Sequence, residues 1–554
     1  MKQFWIYLFA ITTLALTNTK LSAQSFSTEK LNYNFGELVD IQYSNIPSGS
    51  TILLYKDNAS QPMLDSLDVK NKNGVFAMKS ALEPGLYTVK SIKNNQENAK
   101  SYSFRINYNF DHNSKNIFLM TDIHVMSPDL IKKDGSAWQS YLENDRKLED
   151  YSYELYQAAI DSILKRKPEV VLIPGDLTKD GERLSHEVVV KGLKKLREAG
   201  IQSFVIPGNH DINNTNAVYY NGSNKEKAAT ISEEEFKTLY ADHGYARNIE
   251  QDASSLSYIV KIAKGVKLLA IDSKSGSLST STLQWVTDRA KEARHEGYKV
   301  IAMMHHPIME HFSDEMLLSS TSAVSDADNI RKQLMEAGIK VVFTGHFHTT
   351  DIAKDPGEQT GKELYDVTTG SLITYPSHYR WITINSNNTV MNIHTGLINE
   401  VKSTSNFLTM ARNRLAKAVL KQLENRGLTS LYSPLSKAFL THAEGNENLK
   451  RTNDILDEAY WISIIYPNLM PSLLGDINFY GEEKQDIAND LELTIGTSSD
   501  IGKNTNGIHN IEKNQGSGNA LYNLAGQKVG KNYKGIVASP SPSKKGGFIL
   551  INKR

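Results

Sequence analysis

The sequence predicts a layered α/β domain in the central part of a chain with several domains. Between residues 115 and 400, short apolar runs alternate with longer stretches of helical periodicity. Hydrophobic residues make up 40% and charged residues 22% of the chain, which is ordinary for globular proteins. The chain of 554 residues is long enough for several domains.

The central alternation resolves into buried strands and amphipathic helices. The apolar runs that predict buried strands are 117–120, 170–173, 204–206, 268–271, 300–304 and 341–343. The stretches that predict helices are 149–166, 185–199, 280–296 and 327–337. Because strands alternate with helices, we expect an α/β sheet with its ligand site at the C-terminal ends of the strands.

The segments on either side differ from the central region. Residues 25–110 show short alternating runs between turn clusters, which favours a β-sandwich resembling an immunoglobulin domain. Residues 404–490 are predicted to be mainly helical, and 495–520 to be a linker. Residues 521–554 are predicted to form a small β-rich tail. The tail resembles the C-terminal sorting signals of some secreted Gram-negative proteins, and a plain terminal hairpin is the alternative.

The first 23 residues read as a signal peptide. Lys2 supplies the positive end, and the apolar stretch 4–16 is too short to span a bilayer. Leu21-Ser22-Ala23 offers a cleavage point, although a retained N-terminal anchor is the alternative. We therefore expect an exported protein, periplasmic, at the cell surface or secreted, with no transmembrane helix after the leader.

Charge and cysteine content exclude several classes of function. Lys+Arg and Asp+Glu each number 62, so no basic excess points to a nucleic-acid polymer as partner. The chain has no cysteine, which excludes disulfides, a thiol nucleophile, thiolate metal ligands and a cysteine-linked lipid. The oligomeric state is left open.

Five short motifs with metal-binding side chains follow five of the predicted strands. They are FLMTDIHV with Asp122 and His124, VVLIPGDLT with Asp176, FVIPGNHD with Asn209, His210 and Asp211, IAMMHHP with His305 and His306, and VVFTGHFH with His346 and His348. Each alone is ordinary, since a Gly-Asp after a strand is usually a turn. Together they predict that oxygen and nitrogen ligands gather at successive strand ends of one sheet.

The spacing within the motifs supports a metal site. Asp122 and His124 are two residues apart, so in an extended segment both point to the same side, and the last motif repeats this spacing. The glycines before Asp176, Asn209 and His346 suit tight turns that bring the backbone close to a bound phosphate. Mixed oxygen and imidazole ligands favour Mn, Fe, Zn or Ni, and the metal stays unidentified.

In this order the motifs resemble those of the calcineurin-like metallophosphoesterase superfamily, over about 290 residues. The strings GDLTKDGERLSH and VIPGNHDIN narrow the resemblance to the bacterial cyclic-nucleotide phosphodiesterase branch with an appended helical domain. The resemblance implies a layered α/β/β/α sandwich with two metal ions. In its assignment one metal is held by Asp122, His124 and His348, the other by Asn209, His305 and His346, and Asp176 bridges the two.

The resemblance also implies a reaction. Two cations share a water, lower its pKa toward roughly 7, and the resulting hydroxide attacks phosphorus. His210 is expected to protonate the leaving group and Asp211 to orient the His210 ring. Arg183 and His186 are candidate contacts to the substrate phosphate, or else belong to a solvated helix start. His306 is a neighbour of the site, and His243 and His311 are interpreted as surface residues.

Three functions remain open at this point. The first is an exported phosphodiesterase acting on a small phosphoester, for example a cyclic nucleotide. The second is a phosphomonoesterase, similar to an acid phosphatase or a nucleotidase, with the same metal centre. The third is a surface-binding protein with a vestigial metal site, which predicts loss of a ligand such as Asp176 or Asn209, and both are present.

Overall fold

The structure is a computed structural model. It describes residues 24–29, 31–34, 39–56, 62–63, 66–78, 82, 85–107, 114–311, 323–425, 432–445, 489–496, 521–523, 528–529, 535–540 and 548–553. The chain divides into two compact units, Met1–Lys503 and Asn504–Arg554. The predicted signal peptide 1–23 lies outside the described residues, so it stays a prediction.

The secondary structure alternates as the sequence predicts. The strands are β1 (Ser25–Ser27), β2 (Asn32–Asn34), β3 (Asp40–Ser44), β4 (Thr51–Lys56), β5 (Ser66–Asp68), β6 (Gly74–Ala77), β7 (Gly85–Lys93), β8 (Gln96–Glu97), β9 (Tyr102–Asn107), β10 (Lys115–Leu119), β11 (Ile131–Lys133), β12 (Val170–Pro174), β13 (Gln202–Ile206), β14 (Val218–Asn221), β15 (Asn224–Lys227), β16 (Glu250–Gln251), β17 (Tyr258–Ala263), β18 (Val266–Ile271), β19 (Lys299–Met304), β20 (Val341–Thr344), β21 (Asp351–Asp355), β22 (Leu364–Thr368), β23 (His378–Ile384), β24 (Val390–Leu397), β25 (Asp490–Thr494), β26 (Leu521–Asn523), β27 (Lys528–Val529), β28 (Gly535–Pro540) and β29 (Phe548–Lys553). The helices are α1 (Ser136–Asn144), α2 (Ser152–Arg166), α3 (Arg183–Glu198), α4 (Glu233–Leu239), α5 (Thr280–His295), α6 (Ala327–Ala337), α7 (Phe407–Asn425) and α8 (Tyr432–Ala443).

The N-terminal region consists of two sheets, with strand orders β1-β3-β6 and β2-β9-β7-β4-β5, and β8 pairs with β7. Ile41 and Tyr43 of β3 are buried while their neighbours are exposed, which is the alternation of a strand with one face in the core. Tyr87 stacks on Phe104 in this core, with ring centroids 5.5 Å apart. The predicted β-structure is present, and its assignment as immunoglobulin-like stays a prediction.

The central region contains two larger sheets. In the first, with order β13-β12-β10-β23-β24-β25, the strands β10, β12 and β13 are parallel and the others are antiparallel additions. In the second, with order β16-β17-β18-β19-β20-β22-β21, the strands β18, β19, β20 and β22 are parallel. Parallel strands need crossover connections, which helices supply except between β20 and β22, where the chain passes through β21.

The two sheets pack face to face between helices. Leu268 and Ala270 of β18 lie in the core that also contains residues of the first sheet, such as Phe118. The alternate residues Leu269 and Ile271 lie in a second core with α5 and α6. Because successive strand residues point to opposite faces, this division places the second sheet between the first sheet and its own helices. The α/β/β/α layering is confirmed.

The helix bounds agree with the predicted periodic stretches because local signals end them. The backbone N–H of Thr282 donates to the Oγ of Ser279, which caps the start of α5. At its C-terminus α2 is followed by Lys167 in a left-handed conformation, and α6 by Gly338, also left-handed. These helices cover the outer faces of the sheets and leave the ends of the parallel strands to the loops.

The C-terminal part of the first unit is helical where the structure describes it, in α7 and α8. The strand β25 was not predicted, since it falls at the boundary of the segments 404–490 and 495–520, and it pairs with β24 in the first sheet. Most of the predicted linker lies outside the described residues. In the second unit β26 to β29 form a sheet of order β27-β26-β28-β29. Among the described residues, no helix is both long and apolar enough to cross a membrane.

Candidate metal centre

The predicted ligands lie on the loops that follow five parallel strands. Asp122 and His124 follow β10, Asp176 follows β12, and Asn209 follows β13, all in the first sheet. The remaining ligands, His305, His346 and His348, follow β19 and β20 in the second sheet. The prediction that one sheet carries all five motifs is wrong. Apolar runs alone do not show which strands pair, and two packed sheets bring the same strand ends together.

The first group of ligands, here called the Asp122 cluster, comprises Asp122, His124, Asp176 and His348. One ligand atom of each lies within 4.8 Å of all the others. The Nε2 atoms of His124 and His348 are 3.1 Å apart, and His348 Nε2 lies 3.2 Å from Asp122 Oδ1. Asp122 and His124 are fully buried. Two imidazoles and two carboxylates therefore converge on one point.

The second group, here called the His305 cluster, comprises Asp176, His305, His346 and Asn209. Ligand atoms of the first three lie within 4.8 Å of one another. His305 Nε2 lies 3.0 Å from Asn209 Oδ1 and 3.4 Å from Asp176 Oδ2. His305 is fully buried, whereas Asn209 is exposed at the mouth of the site.

Asp176 belongs to both clusters. Its Oδ2 lies 3.5 Å from His124 Nε2 and 3.4 Å from His305 Nε2. Its Oδ1 accepts a hydrogen bond of 2.9 Å from the backbone N–H of His210. Burial alone would raise the pKa of Asp176, but His305, His210 and His124 outweigh it and hold the pKa well below its ordinary value. The residue is therefore a carboxylate shared by the two groups.

The donor set fits a pair of transition-metal cations. The Nδ1–H of His305 donates to the backbone carbonyl of Pro174 over 3.0 Å, which leaves the Nε2 lone pair toward the oxygens of Asp176 and Asn209. Lone pairs that converge in this way repel one another unless a proton or a cation lies between them. Imidazole nitrogen with carboxylate and amide oxygen suits Mn, Fe, Zn or Ni.

The backbone at the ligands is not the extended one that the spacing predicts. Asp122 and His124 have φ values of 47° and 35°, and His346 and His348 have 63° and 62°. Asp176 is also left-handed, with φ of 48°. Left-handed backbone costs non-glycine residues roughly 1–3 kcal/mol each and is found where function requires it. The two ligands of each pair still lie close together. In each pair, two residues with left-handed backbone flank one residue that does not have it.

The glycines of the motifs lie where a side chain would clash with a ligand residue. A Cβ on Gly208 would lie 2.2 Å from Asp176 Oδ1, and one on Gly345 would lie 2.3 Å from Asp122 Oδ2. Gly175 has φ of 91°, a conformation that other residues rarely adopt. Gly208 and Gly345 therefore allow a close approach to the ligand carboxylates, and the approach of this backbone to a bound phosphate stays a prediction.

His210 lies beside the Asp122 cluster, with its ring centroid 4.9 Å from that of His124. Its Nδ1 lies 2.7 Å from the backbone carbonyl of Lys179 and 3.0 Å from Asp180 Oδ1. The side chain is 27% exposed, so solvent reaches the ring. Burial lowers the pKa of His210, but Asp176 and the hydrogen bond to Asp180 outweigh it and raise the pKa to about 9.

The prediction that Asp211 orients this ring is wrong, because Asp180 occupies that position. The Asp211 carboxylate instead accepts hydrogen bonds from the backbone N–H groups of Gly208, Leu177 and Thr178, over 2.8, 3.1 and 2.9 Å. Burial and the nearby charge of Asp176 raise the pKa of Asp211 to about 6. Asp211 thus ties the loop after β13 to the loop after β12.

Neither predicted substrate contact points to the site. The guanidinium of Arg183 forms an ion pair with Glu235 at the start of α4. His186 is fully buried, and its two ring nitrogens contact the Tyr240 hydroxyl and the Asp211 backbone carbonyl, each over 2.8 Å. Burial lowers the pKa of His186 to about 4. These two predictions are wrong because both side chains are engaged in packing α3 against neighbouring elements.

Other histidines also depart from the sequence interpretation. His243 and His311 were expected at the surface, but both are buried. His311 Nδ1 lies 2.6 Å from Asp351 Oδ2, which makes it part of a buried charged group behind the ligand loops. His306, in contrast, is a neighbour of the site as expected, since its ring centroid lies 4.1 Å from that of His346 and its backbone N–H donates to Ser273 Oγ over 3.0 Å.

Sequence reasoning missed the side chains that hold the ligands in place. Asp180 lies within the string GDLTKDG, close in sequence to Asp176. A second carboxylate at that place could have been recognised as a candidate partner of His210. Ser371 donates from Oγ to the backbone carbonyl of Asp122 over 2.7 Å, and Thr121 Oγ1 donates to Asp122 Oδ2 over 2.9 Å. Ser371 lies 249 positions away in sequence and no local pattern marks it.

Several solved structures resemble parts of the chain. A dimetal phosphatase from Danio rerio is 13% identical with a TM-score of 0.37, and covers 52% of this chain and 97% of its own. The purple acid phosphatase PPD1 from yellow lupin (Lupinus luteus) seeds is 8% identical with a TM-score of 0.35, and covers 69% and 73%. Phosphopantetheinyl hydrolase from Mycobacterium tuberculosis is 12% identical with a TM-score of 0.23, and covers 47% and 90%. No curated protein matches the chain.

A family comparison covers the part of the chain that carries the ligands. The model of the calcineurin-like phosphoesterases matches residues 115–350. This range begins at β10 and ends just after the loop with His346 and His348, so it contains both clusters. The narrower resemblance to the cyclic-nucleotide branch stays a prediction. Residues 115–350 of the chain form a domain of the calcineurin-like phosphoesterase family.

Proposed function

We propose that the protein is an exported hydrolase that cleaves phosphodiesters with a pair of bound metal ions. The observation that carries the hydrolase assignment is the shared carboxylate of Asp176, which lies 3.5 Å from a ring nitrogen of one cluster and 3.4 Å from one of the other. Asp122, His124 and His348 would hold one ion, and Asn209, His305 and His346 the other. When bound, the two cations supply positive charge to the phosphoryl oxygens and activate a water.

The chain's own contribution to the reaction centres on His210. Its Nδ1 is held by the Lys179 carbonyl and by Asp180, so Nε2 is the nitrogen left for the substrate. The hydrogen bond to Asp180 favours the imidazolium, which is the form that can donate a proton. We assign His210 as the general acid for the leaving oxygen. Asp180 positions the ring and does not contact the substrate.

Diesters are the first substrate class because the motif strings resemble those of cyclic-nucleotide phosphodiesterases. Monoesters are the second candidate, because the same metal centre can serve both classes of ester.

Export is part of the proposal and rests on the N-terminal sequence alone. Lys2, the apolar stretch 4–16 and the small residue Ala23 are the features of a cleaved signal peptide. Expression of the full chain followed by cell fractionation and N-terminal sequencing tests it. A mature N-terminus at Gln24 outside the cytoplasm supports export, whereas a cytoplasmic protein that retains Met1 contradicts it.

The activity is tested with protein stripped of metal and reloaded separately with Mn, Fe, Zn or Ni. Rates on bis-(p-nitrophenyl) phosphate, p-nitrophenyl phosphate and cyclic AMP rank the substrate classes. We expect metal-dependent hydrolysis of all artificial substrates that fit the site, with the diester preferred. Metal-loaded protein that is inert toward every substrate would contradict the proposal and favour a surface-binding protein with a vestigial site.

A further inference from the structure

Lys179 is a buried cation on the loop after β12, three residues beyond the shared ligand Asp176. Its side chain is 3% exposed, and its Nζ forms an ion pair with Oδ2 of Asp180. A lysine is seldom buried to this extent unless a carboxylate pairs with it. The two residues of the ion pair are also the two residues that contact Nδ1 of His210.

The two carboxylate oxygens of Asp180 have different partners. Oδ2 pairs with Nζ of Lys179, and Oδ1 lies 3.0 Å from Nδ1 of His210. Because a charge-assisted hydrogen bond is strong, the pair at Oδ2 restricts rotation of the carboxylate and so fixes the direction in which Oδ1 points. The backbone carbonyl of Lys179 lies 2.7 Å from the same Nδ1. Lys179 therefore contacts the His210 ring through its carbonyl and acts on it a second time through Asp180.

Two aromatic residues of α1 complete the surroundings of the ammonium group. Nζ of Lys179 lies over the ring of Tyr141, 4.7 Å from its centroid. The Tyr141 ring stacks on Trp138, with centroids 5.5 Å apart and ring planes 13° apart, and Trp138 is buried. A cation over the face of an aromatic ring is attracted to it, more strongly where water is excluded. The helix α1 thus helps to hold the cation that pairs with Asp180.

We propose that Lys179 is a positioning residue for the general acid, and that it acts through Asp180 to hold the His210 ring with Nε2 directed to the leaving oxygen. The inference rests on the proposed hydrolase function and goes beyond it by giving Lys179 and α1 a part in proton transfer. Lys179 is neither a metal ligand nor a contact to the substrate in this assignment. Its loss should therefore slow the step that needs the proton and leave the binding of substrate and metal intact.

Three variants test the role of the charge. Lys179→Met keeps most of the side-chain length and removes the charge, and Lys179→Arg keeps the charge. Lys225→Met is the matched control, because Nζ of Lys225 lies 5.8 Å from the centroid of the same Tyr141 ring. Lys225 is exposed, however, and Asp180 pairs with Lys179 instead. The control thus removes a cation from the same ring without changing the partner of Asp180.

Turnover of metal-loaded protein is measured on esters with two kinds of leaving group, an alkoxide in cyclic AMP or glycerol 2-phosphate and a phenolate in bis-(p-nitrophenyl) phosphate. For Lys179→Met we expect kcat on the alkoxide ester to fall about tenfold or more, as is typical for loss of a residue that orients another. The phenolate ester should be affected less, because its leaving group needs less protonation. KM and metal content should stay at the wild-type values. Lys179→Arg should recover part of kcat, and Lys225→Met should leave both rates unchanged.

A double-mutant cycle tests whether Lys179 acts through Asp180 and His210. In an Asp180→Asn background, Lys179→Met should cause little further loss on the alkoxide ester, and in a His210→Ala background it should cause none. Residues that act as one unit have effects that do not add. Lys179→Met alone leaves a buried carboxylate without its partner and can weaken folding. The double variant with Asp180→Asn removes that charge, so the cycle remains measurable.

Crystal structures of the variants give a readout besides turnover. In Lys179→Met, and in Lys179→Met with Asp180→Asn, the His210 ring should turn away from its present orientation or occupy more than one. In Lys225→Met the ring should keep its contacts to Asp180 and to the Lys179 carbonyl. The thermal midpoint of each variant, measured beside its turnover, separates loss of ring orientation from loss of the fold.

The outcomes separate this inference from the proposed function. Equal losses on the two kinds of ester, a full additional loss in the Asp180→Asn background, or an unmoved His210 ring in Lys179→Met would each overturn the role of Lys179. Wild-type protein that hydrolyses none of the esters overturns the hydrolase instead. In that case a His210 ring that moves in Lys179→Met and not in Lys225→Met still supports Lys179 as the residue that positions it.

Discussion

The two halves of the metal centre share Asp176 but differ in charge and exposure. The Asp122 cluster has two carboxylates and two imidazoles, whereas the His305 cluster has one carboxylate, one amide and two imidazoles. Asp122 and His124 are fully buried, as is His305 of the other cluster, but Asn209 of that other cluster is exposed. The first half is thus a closed, more negative position, and the second is less negative and open to solvent.

The two positions are therefore not equivalent as ion sites. Ligand charge and rigidity set the affinity of protein sites for divalent cations. The Asp122 cluster has the additional carboxylate and is supported by Thr121 and Ser371. We therefore expect one tightly held ion and one that exchanges more readily, joined by Asp176.

The largest expected effect comes from the shared residue. Asp176→Asn removes the only carboxylate of the His305 cluster and one of the two in the Asp122 cluster, so both ions should be weakened together. Since metal-supplied charge stabilisation is worth several kcal/mol, turnover should fall by about 10⁴-fold or more. Metal content and hydrolysis rates measure it. Asp242→Asn, at an exposed ion pair with Arg197, is the control and should keep both ions.

Variants that change one cluster at a time test whether the two ions are held unequally. Asp122→Ala should lose the ion of the closed cluster and Asn209→Ala that of the open one, each leaving about one ion per chain and lowering turnover by about 10³-fold. During dialysis of the wild type against a chelator, the ion of the open cluster should leave first. Equal, simultaneous release of both ions would remove the proposed asymmetry.

Proton transfer should be separable from ion binding. His210→Ala should keep both ions and slow the hydrolysis of esters with poor alkoxide leaving groups by about 10²-fold or more, because a general acid typically contributes 10²–10⁴-fold. Esters of p-nitrophenol need less protonation and should be affected less. Full activity of the variant on an alkyl ester would refute the role of His210.

A smaller effect is expected at the residue that holds His210. Asp180→Asn removes the charge that lies 3.0 Å from Nδ1, so the ring should lose its orientation and part of its raised pKa. We expect a loss of about 10- to 100-fold, typical for a residue that orients another. The basic limb of the pH–rate profile should move to lower pH. An unchanged profile in the variant would assign Asp180 a structural role only.

Local sequence signals predicted the elements and the ligand types. The apolar runs of β12 and β19 and the periodicity of α5 are properties of contiguous residues, so they are readable from sequence. The five motifs and their order named the side chains that the structure brings together in two clusters. The α/β/β/α layering came from the family resemblance, since the apolar pattern alone predicted one sheet.

What the sequence did not predict depends on contacts between distant segments. Histidine is a residue type expected at a substrate contact, but the ring nitrogens of His186 contact the Tyr240 hydroxyl and the Asp211 carbonyl. The backbone at Asp122 and His346 is left-handed, on loops from the two different sheets. The strand β25 is explained by pairing with β24, which is separated from it in sequence by residues 398–489. None of these contacts leaves a local pattern.

The most direct test of the central claim is the location of the ions themselves. Crystals of protein reloaded with Mn or Zn, measured at the absorption edge of that metal, should give two anomalous peaks flanking the Asp176 carboxylate. One peak should lie among Asp122, His124 and His348, and the other among Asn209, His305 and His346. A single peak, or peaks that Asp176 does not contact, would contradict the shared two-ion centre.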